Sequence, residues 1–141
     1  MLNKVQCSLA GNAIRGNAIR FLQWKKHGAG GYKSNVRGFA TFANSLIKRK
    51  LIERKTTTQM VKLQTTADAS ATGLGLGVFV SGKGKELKIS HNGSQHETKT
   101  RMVIYPKKGH GIVVMCNCRN ADPGKITTAI YNALSKLRSR G

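Results

Sequence analysis

Acidic residues are nearly missing from this 141-residue sequence: five Asp and Glu stand against 25 Lys and Arg, a formal charge of +20. The first acid along the chain is Glu53. Aromatics make up only 6%, so a platform for stacking nucleic-acid bases is not evident. No apolar run approaches the roughly 18 residues that a membrane span requires, which excludes a transmembrane segment. Three cysteines, odd in number and irregularly spaced, exclude a disulfide-built mini-protein. A phosphate loop is missing too, because the glycines at 73, 75 and 77 lack a Gly-Lys-Ser/Thr ending. They suit a strand near a substrate or a neighbouring backbone.

What is present is enough for one domain. At 39% hydrophobic, the chain can bury a modest core, which excludes disorder throughout. The surplus of positive charge favours polyanions: RNA, DNA, an anionic membrane surface or an acidic protein. Lys48, Arg49, Lys50, Lys107 and Lys108 form the clusters most suited to polyanion contact. A solvated basic surface accounts for the same residues. Charge says nothing about fold.

Residues 1–27 read as a basic N-terminal extension. Gly11-Asn12-Ala13-Ile14-Arg15 repeats perfectly as Gly16-Asn17-Ala18-Ile19-Arg20. An acid-free, Arg-bearing start has the character of an organellar transit peptide, although its two glycines weaken an amphipathic helix. Its apolar stretch is too short for a secretory signal. Gly28, Gly30 and Gly31 then mark a loop. Val36, Phe39, Ala40, Ala43, Leu46, Ile47 and Leu51 recur at three- and four-residue steps, which predicts an amphipathic helix capped by Ser34 or Asn35.

Residues 53–72 read as a polar connection. A strand is expected from Leu74 to Val80, a hairpin turn at Gly82-Lys83-Gly84, and a second strand around Leu87 and Ile89. Arg101 to Tyr105 and Ile112 to Cys116 predict a hairpin looped by Pro106 to Gly111. Asp122 caps a last helix opened by Pro123, with the stripe Ile126, Ala129, Ile130, Ala133, Leu134 and Leu137. The expected class is α+β: an antiparallel sheet with flanking helices.

The stretch from Ile89 to Leu134, with Gly28 to Ile47 and Thr72 to Val80 before it, resembles the C-terminal part of serine β-lactamase-like hydrolases. That group includes class C β-lactamases, related esterases and penicillin-binding peptidases. The resemblance covers about four fifths of the chain, residues 28–141. It implies the C-terminal portion of the β-lactamase/transpeptidase-like fold. Such proteins use a serine nucleophile in Ser-x-x-Lys, a Tyr-x-Asn element, and a strand reading Lys-Thr-Gly or His-x-Gly. His91-Asn92-Gly93 matches this last element. The resemblance implies that His91 faces substrate, Gly93 permits close backbone approach, and the Ser94 N–H donates to an oxyanion.

The other two elements have no good counterpart. Ser45-Leu46-Ile47-Lys48 has the spacing, yet with nine serines and sixteen lysines about one such match arises by chance. It also falls inside the amphipathic helix rather than at its start. Tyr-x-Asn is absent. The chain is therefore expected to be a truncated or split hydrolase segment, non-catalytic by itself, with a second chain supplying the N-terminal half. The alternative expectation is a degenerate hydrolase domain recruited as a basic RNA-binding or ribosomal subunit. No cofactor is expected. His110, Cys116 and Cys118 lack the four-ligand spacing of a zinc site, so packed thiols are the better reading. His96 and Glu97 border the matched triplet, where simple solvent exposure is the alternative.

Overall fold

The computed structural model describes residues 20–21, 32–65, 73–95 and 97–138. The remainder of the basic extension, most of the pentapeptide repeat, the Gly28–Gly31 loop and His96 lie outside the described residues. Two short strands, β1 (Arg20–Phe21) and β2 (Tyr32–Lys33), pair antiparallel. The helix expected after them is α1, Val36–Ile47. Its cap is Asn35, whose Oδ1 accepts the Gly38 N–H at 2.8 Å. The predicted extension to Leu51 does not occur. Arg49 adopts a left-handed φ of 54°, and the Lys50 N–H turns back to the Ser45 carbonyl at 2.9 Å. That reversal closes the helix in the manner usually given to glycine.

The polar connection is partly helical: Arg54–Met60 forms α2. Threonine run or not, Thr57 and Thr58 turn their hydroxyls back to the carbonyls four residues earlier, which leaves the helical ladder intact. The expected strand from Leu74 to Val80 shrinks to β3, Phe79–Ser81, with only a bridge from Leu74 to Phe79 before it. Gly73 and Gly77, both at φ 70°, turn the chain away from extended geometry. At Gly75 the neighbouring backbone is the Met60 carbonyl, which accepts the Leu76 N–H at 2.9 Å.

Three long strands follow: β4 (Lys88–Gln95), β5 (Thr98–Tyr105) and β6 (His110–Cys116). The sheet is antiparallel throughout, in the order β3-β4-β5-β6. A 3-10 turn, Gly84–Glu86, lies between β3 and β4 and lengthens the expected hairpin. Helix α3 spans Pro123–Arg138, and Asp122 Oδ1 accepts the Lys125 N–H at 3.0 Å. Helices, a four-stranded antiparallel sheet and their segregation by face make this an α+β fold.

Side chains alternate across the sheet, so the register assigns them to faces. Val80, Ile89 and Ile104 are successive partners, and Met102 shares their face. With Ala43 they form the main core, packed by Phe39, Phe42, Leu46 and Ile47 of α1 and by Met60 and Val61. The opposite face carries Ser90, Arg101, Val103 and Tyr105. Helix α3 lies on it, with Tyr131 stacked on Tyr105 at 4.7 Å between ring centroids.

The stripe on α3 is not its buried side. Thr127 is buried, whereas Ile126, Ile130, Leu134 and Leu137 are 38–68% exposed. The helix approaches the sheet through Thr127 and Tyr131. Periodicity marks an apolar stripe but cannot say what covers it.

Candidate functional site

The residues of the His-x-Gly element lie within β4, in the half that β3 does not reach. Pairing with β3 stops at Ser90, opposite Phe79, whereas pairing with β5 continues to Gln95. Among the described residues, the outer edge of His91 to Gln95 therefore has no strand partner. Alternate backbone N–H and C=O groups along it remain open to another extended group.

Strand alternation divides the four matched residues. His91 and Gly93 belong to the α1 face, Asn92 and Ser94 to the α3 face. His91 is exposed beyond the end of the main core, its ring centroid 6.1 Å from that of Phe79. Gly93 sits opposite Thr100, and a Cβ there would run into the Thr100 hydroxyl. A side chain at residue 93 would force the Thr100 hydroxyl to move. Asn92 is engaged internally: its Oδ1 accepts from Arg101 Nη1 at 2.7 Å. Ser94 is exposed.

Ser45 and Lys48 are far from the arrangement a nucleophile needs. Ser45 lies in the last turn of α1, half-buried, and Lys48 is the residue that ends the helix. A serine at a helix C-terminus meets the negative end of the dipole, which disfavours an alkoxide.

The basic clusters separate as well. Lys48, Arg49, Lys50 and Lys107 are exposed. Lys108 instead binds the fold together: its Nζ meets Glu86 Oε1 at 2.7 Å, Oε2 at 2.9 Å and the Tyr131 hydroxyl at 2.7 Å. The same ammonium lies 5.8 Å from the Tyr105 ring centroid and 5.3 Å from that of Tyr131. Its hydrogen bonds to Glu86 and then Tyr131 raise its pKa above the usual lysine value. His110 Nδ1 lies 3.2 Å from the Lys108 carbonyl oxygen and 3.3 Å from Arg138 Nη1. Cys116 and Cys118 are free and half-buried, and burial pushes the Cys116 thiol up. No group of three His, Cys, Asp or Glu side chains suited to a metal occurs among the described residues. No helix among them is long and apolar enough to cross a membrane.

The roles of Arg101, Glu86 and Tyr131 were not read from the sequence. The one available signal was a lone arginine opening the otherwise apolar run Arg101-Met102-Val103-Ile104. Its partner Asn92 is nine residues away and becomes a neighbour only through strand register.

An antiparallel four-stranded sheet flanked by helices agrees with an α+β fold of the β-lactamase-like kind. A family model described as Beta-lactamase matches residues 6–135, and the chain belongs to that family. The match begins inside the segment read above as a basic extension. Neither the curated proteins nor the solved structures yield a match. Membership relates the chain to hydrolases.

Proposed function

We propose that this chain forms the His-x-Gly wall of a serine-hydrolase site and is non-catalytic by itself. A complementary polypeptide carries the Ser-x-x-Lys and Tyr-x-Asn elements, and the pair performs acyl transfer on an ester, amide or β-lactam through an acyl-serine. His91 lines the substrate site and the Ser94 N–H stabilises the oxyanion. The observation that carries this reading is the uncovered flank of the fold. Ile126, Ile130, Leu134 and Leu137 form a continuous exposed stripe on α3, and β6 is an edge strand among the described residues. An apolar stripe beside an open strand edge is an association surface.

The test is native isolation at physiological salt, followed by identification of the co-fractionating chains and an acyl-transfer assay of the complex. A partner bearing Ser-x-x-Lys is expected. In that complex His91→Ala should slow turnover by at least about tenfold, whereas Ser45→Ala should leave it unchanged. An unaltered rate in His91→Ala removes the role given to that residue.

A second reading, a hydrolase domain recruited as a basic RNA-binding or ribosomal subunit, is favoured by the charge. Glu86 is taken up by Lys108, and Asp122 caps α3, so these acids do little to offset the exposed cations. Isolation within a large RNA-containing particle, with preference for one structured RNA over scrambled competitor, is its signature.

A further inference from the structure

Between the sheet and α3 lies a cleft of about 410 Å³. It sits on the face opposite His91 and is no part of the site above. Lys88, Arg101, Ser81, Tyr105 and Tyr131 are among the residues that line it. Its chemistry is lopsided. Both Lys88 and Arg101 are half-buried, and among the described residues neither meets a carboxylate. Glu86, on the rim, already gives both oxygens to Lys108.

Arg101 is the more telling of the two. Nη1 binds the neutral amide oxygen of Asn92, and Nε is sealed from solvent with no acceptor. A partly desolvated guanidinium with one neutral partner is costly, and an anion in the cleft offsets that cost. Thr127 and Thr128 direct their hydroxyl protons to the Gly124 carbonyl, at 2.9 and 3.0 Å, and so are not ligand donors. The Tyr105 hydroxyl can be one, because Tyr105 lines the cleft and its phenol is protonated at neutral pH, burial raising its pKa further.

We propose that this cleft binds a small phosphate-bearing molecule, held between Lys88 and the free side of the Arg101 guanidinium. A carboxylate is matched best by a planar fork of two adjacent guanidinium N–H groups. Here Nε is inaccessible and one Nη1 N–H is engaged, so the side-on fork through Nε is lost and the end-on pair is already partly committed. What remains is a set of single donors around a volume: Arg101, the Lys88 ammonium and the hydroxyls of Tyr105 and Ser81. Such a set suits the several oxygens of a tetrahedral dianion. Tyr131 and Tyr105 supply an aromatic wall for the organic part.

The experiment is calorimetric titration of the full chain with glycerol 3-phosphate, inorganic phosphate and succinate at physiological ionic strength. One saturable site for the phosphates is expected, with succinate weaker. Lys88→Gln and Arg101→Gln should each weaken binding by about tenfold or more, the loss of one charged hydrogen bond. Lys50→Gln removes the same charge from an exposed position and should change affinity less than about twofold. Absence of saturable phosphate binding overturns the site, as does an equal loss in Lys50→Gln, which would indicate only the general positive field. Succinate binding as tightly as the phosphates overturns the choice of phosphate. If Arg101→Gln fails to fold by circular dichroism, Lys88→Gln decides.

Discussion

On the α1 side of the sheet, Val80, Ile89, Met102 and Ile104 are buried against Ala43 and flanked by two phenylalanines. On the α3 side, the same strands present Ser90, Arg101, Val103 and Tyr105 to a helix that meets them with threonine and tyrosine. The first face is held by apolar burial. The second also buries Val103, Ile112 and Val114, and adds directional contacts: the Tyr105–Tyr131 stack and the Lys108 ammonium bridging Glu86 and Tyr131. One sheet thus has a side packed on α1 and a side with a cleft lined by Lys88 and Arg101 and, among the described residues, an exposed apolar stripe on its helix. Stability belongs chiefly to the first, and room for binding to the second.

Core truncation gives the largest expected contrast. Ile104, 1% exposed, is the most buried large side chain, and Ile104→Ala should cost about 4 kcal/mol in urea unfolding. Val103→Ala, on the other face at 3% exposure, should cost about 2 kcal/mol, being smaller and beside a cleft that can relax. Equal losses would dissolve the distinction between the faces. Next in size is Gly93→Ala, whose new methyl meets the Thr100 hydroxyl and should cost about 2 kcal/mol. Thr100→Ala in the same chain should recover most of it, and failure to do so would point to a cause other than that contact.

Alkaline sensitivity should follow the α3 side. Cys116, Tyr105 and Lys108 all hold their protons more tightly in the fold, the first two through burial and Lys108 through Glu86. A raised pKa contributes stability that is whole below the ordinary values of 9.0, 10.0 and 10.5 and is lost as pH climbs past them. The urea midpoint should therefore fall above about pH 9, and Tyr105→Phe should flatten that fall. A midpoint steady into strong alkali would contradict it. The smallest effect is expected at Leu134→Gln. That side chain is 40% exposed on the stripe, so the stability of the chain should move by less than about 0.5 kcal/mol. The same change should weaken capture of a complementary polypeptide. A large loss of stability instead would mean that the stripe is already covered within this chain.

Much of the fold was legible in local patterns. The apolar spacing of Phe39, Ala43, Leu46 and Ile47 announced α1, Asp122 and Pro123 announced the start of α3, and the β5–β6 hairpin lay where alternation put it. Where the reading failed, non-local contacts decided. Residues 54–60 look like a threonine-rich connection, yet they form α2, which leads into Met60 and Val61 packed on a core formed by other elements. The apolar run at 74–80 looks like a strand, yet two left-handed glycines and the Met60 carbonyl fold it into turns. Of the candidate site, His91-Asn92-Gly93 was found as a string. Its division between two faces, and the capture of Asn92 by Arg101, were not.

Counts and short-range periodicity by themselves determined a strongly basic chain of the α+β class, and among the described residues no helix is long and apolar enough to cross a membrane. The residue order over positions 6–135 carried the family. Only the tertiary structure decided which basic residues are free and which are spent: Lys107 faces solvent, while its neighbour Lys108 is locked to Glu86 and Tyr131. The physical reason is that a charge acts through its distance to other charges and its access to water. Chain folding sets both, by bringing together residues 22 and 23 positions apart.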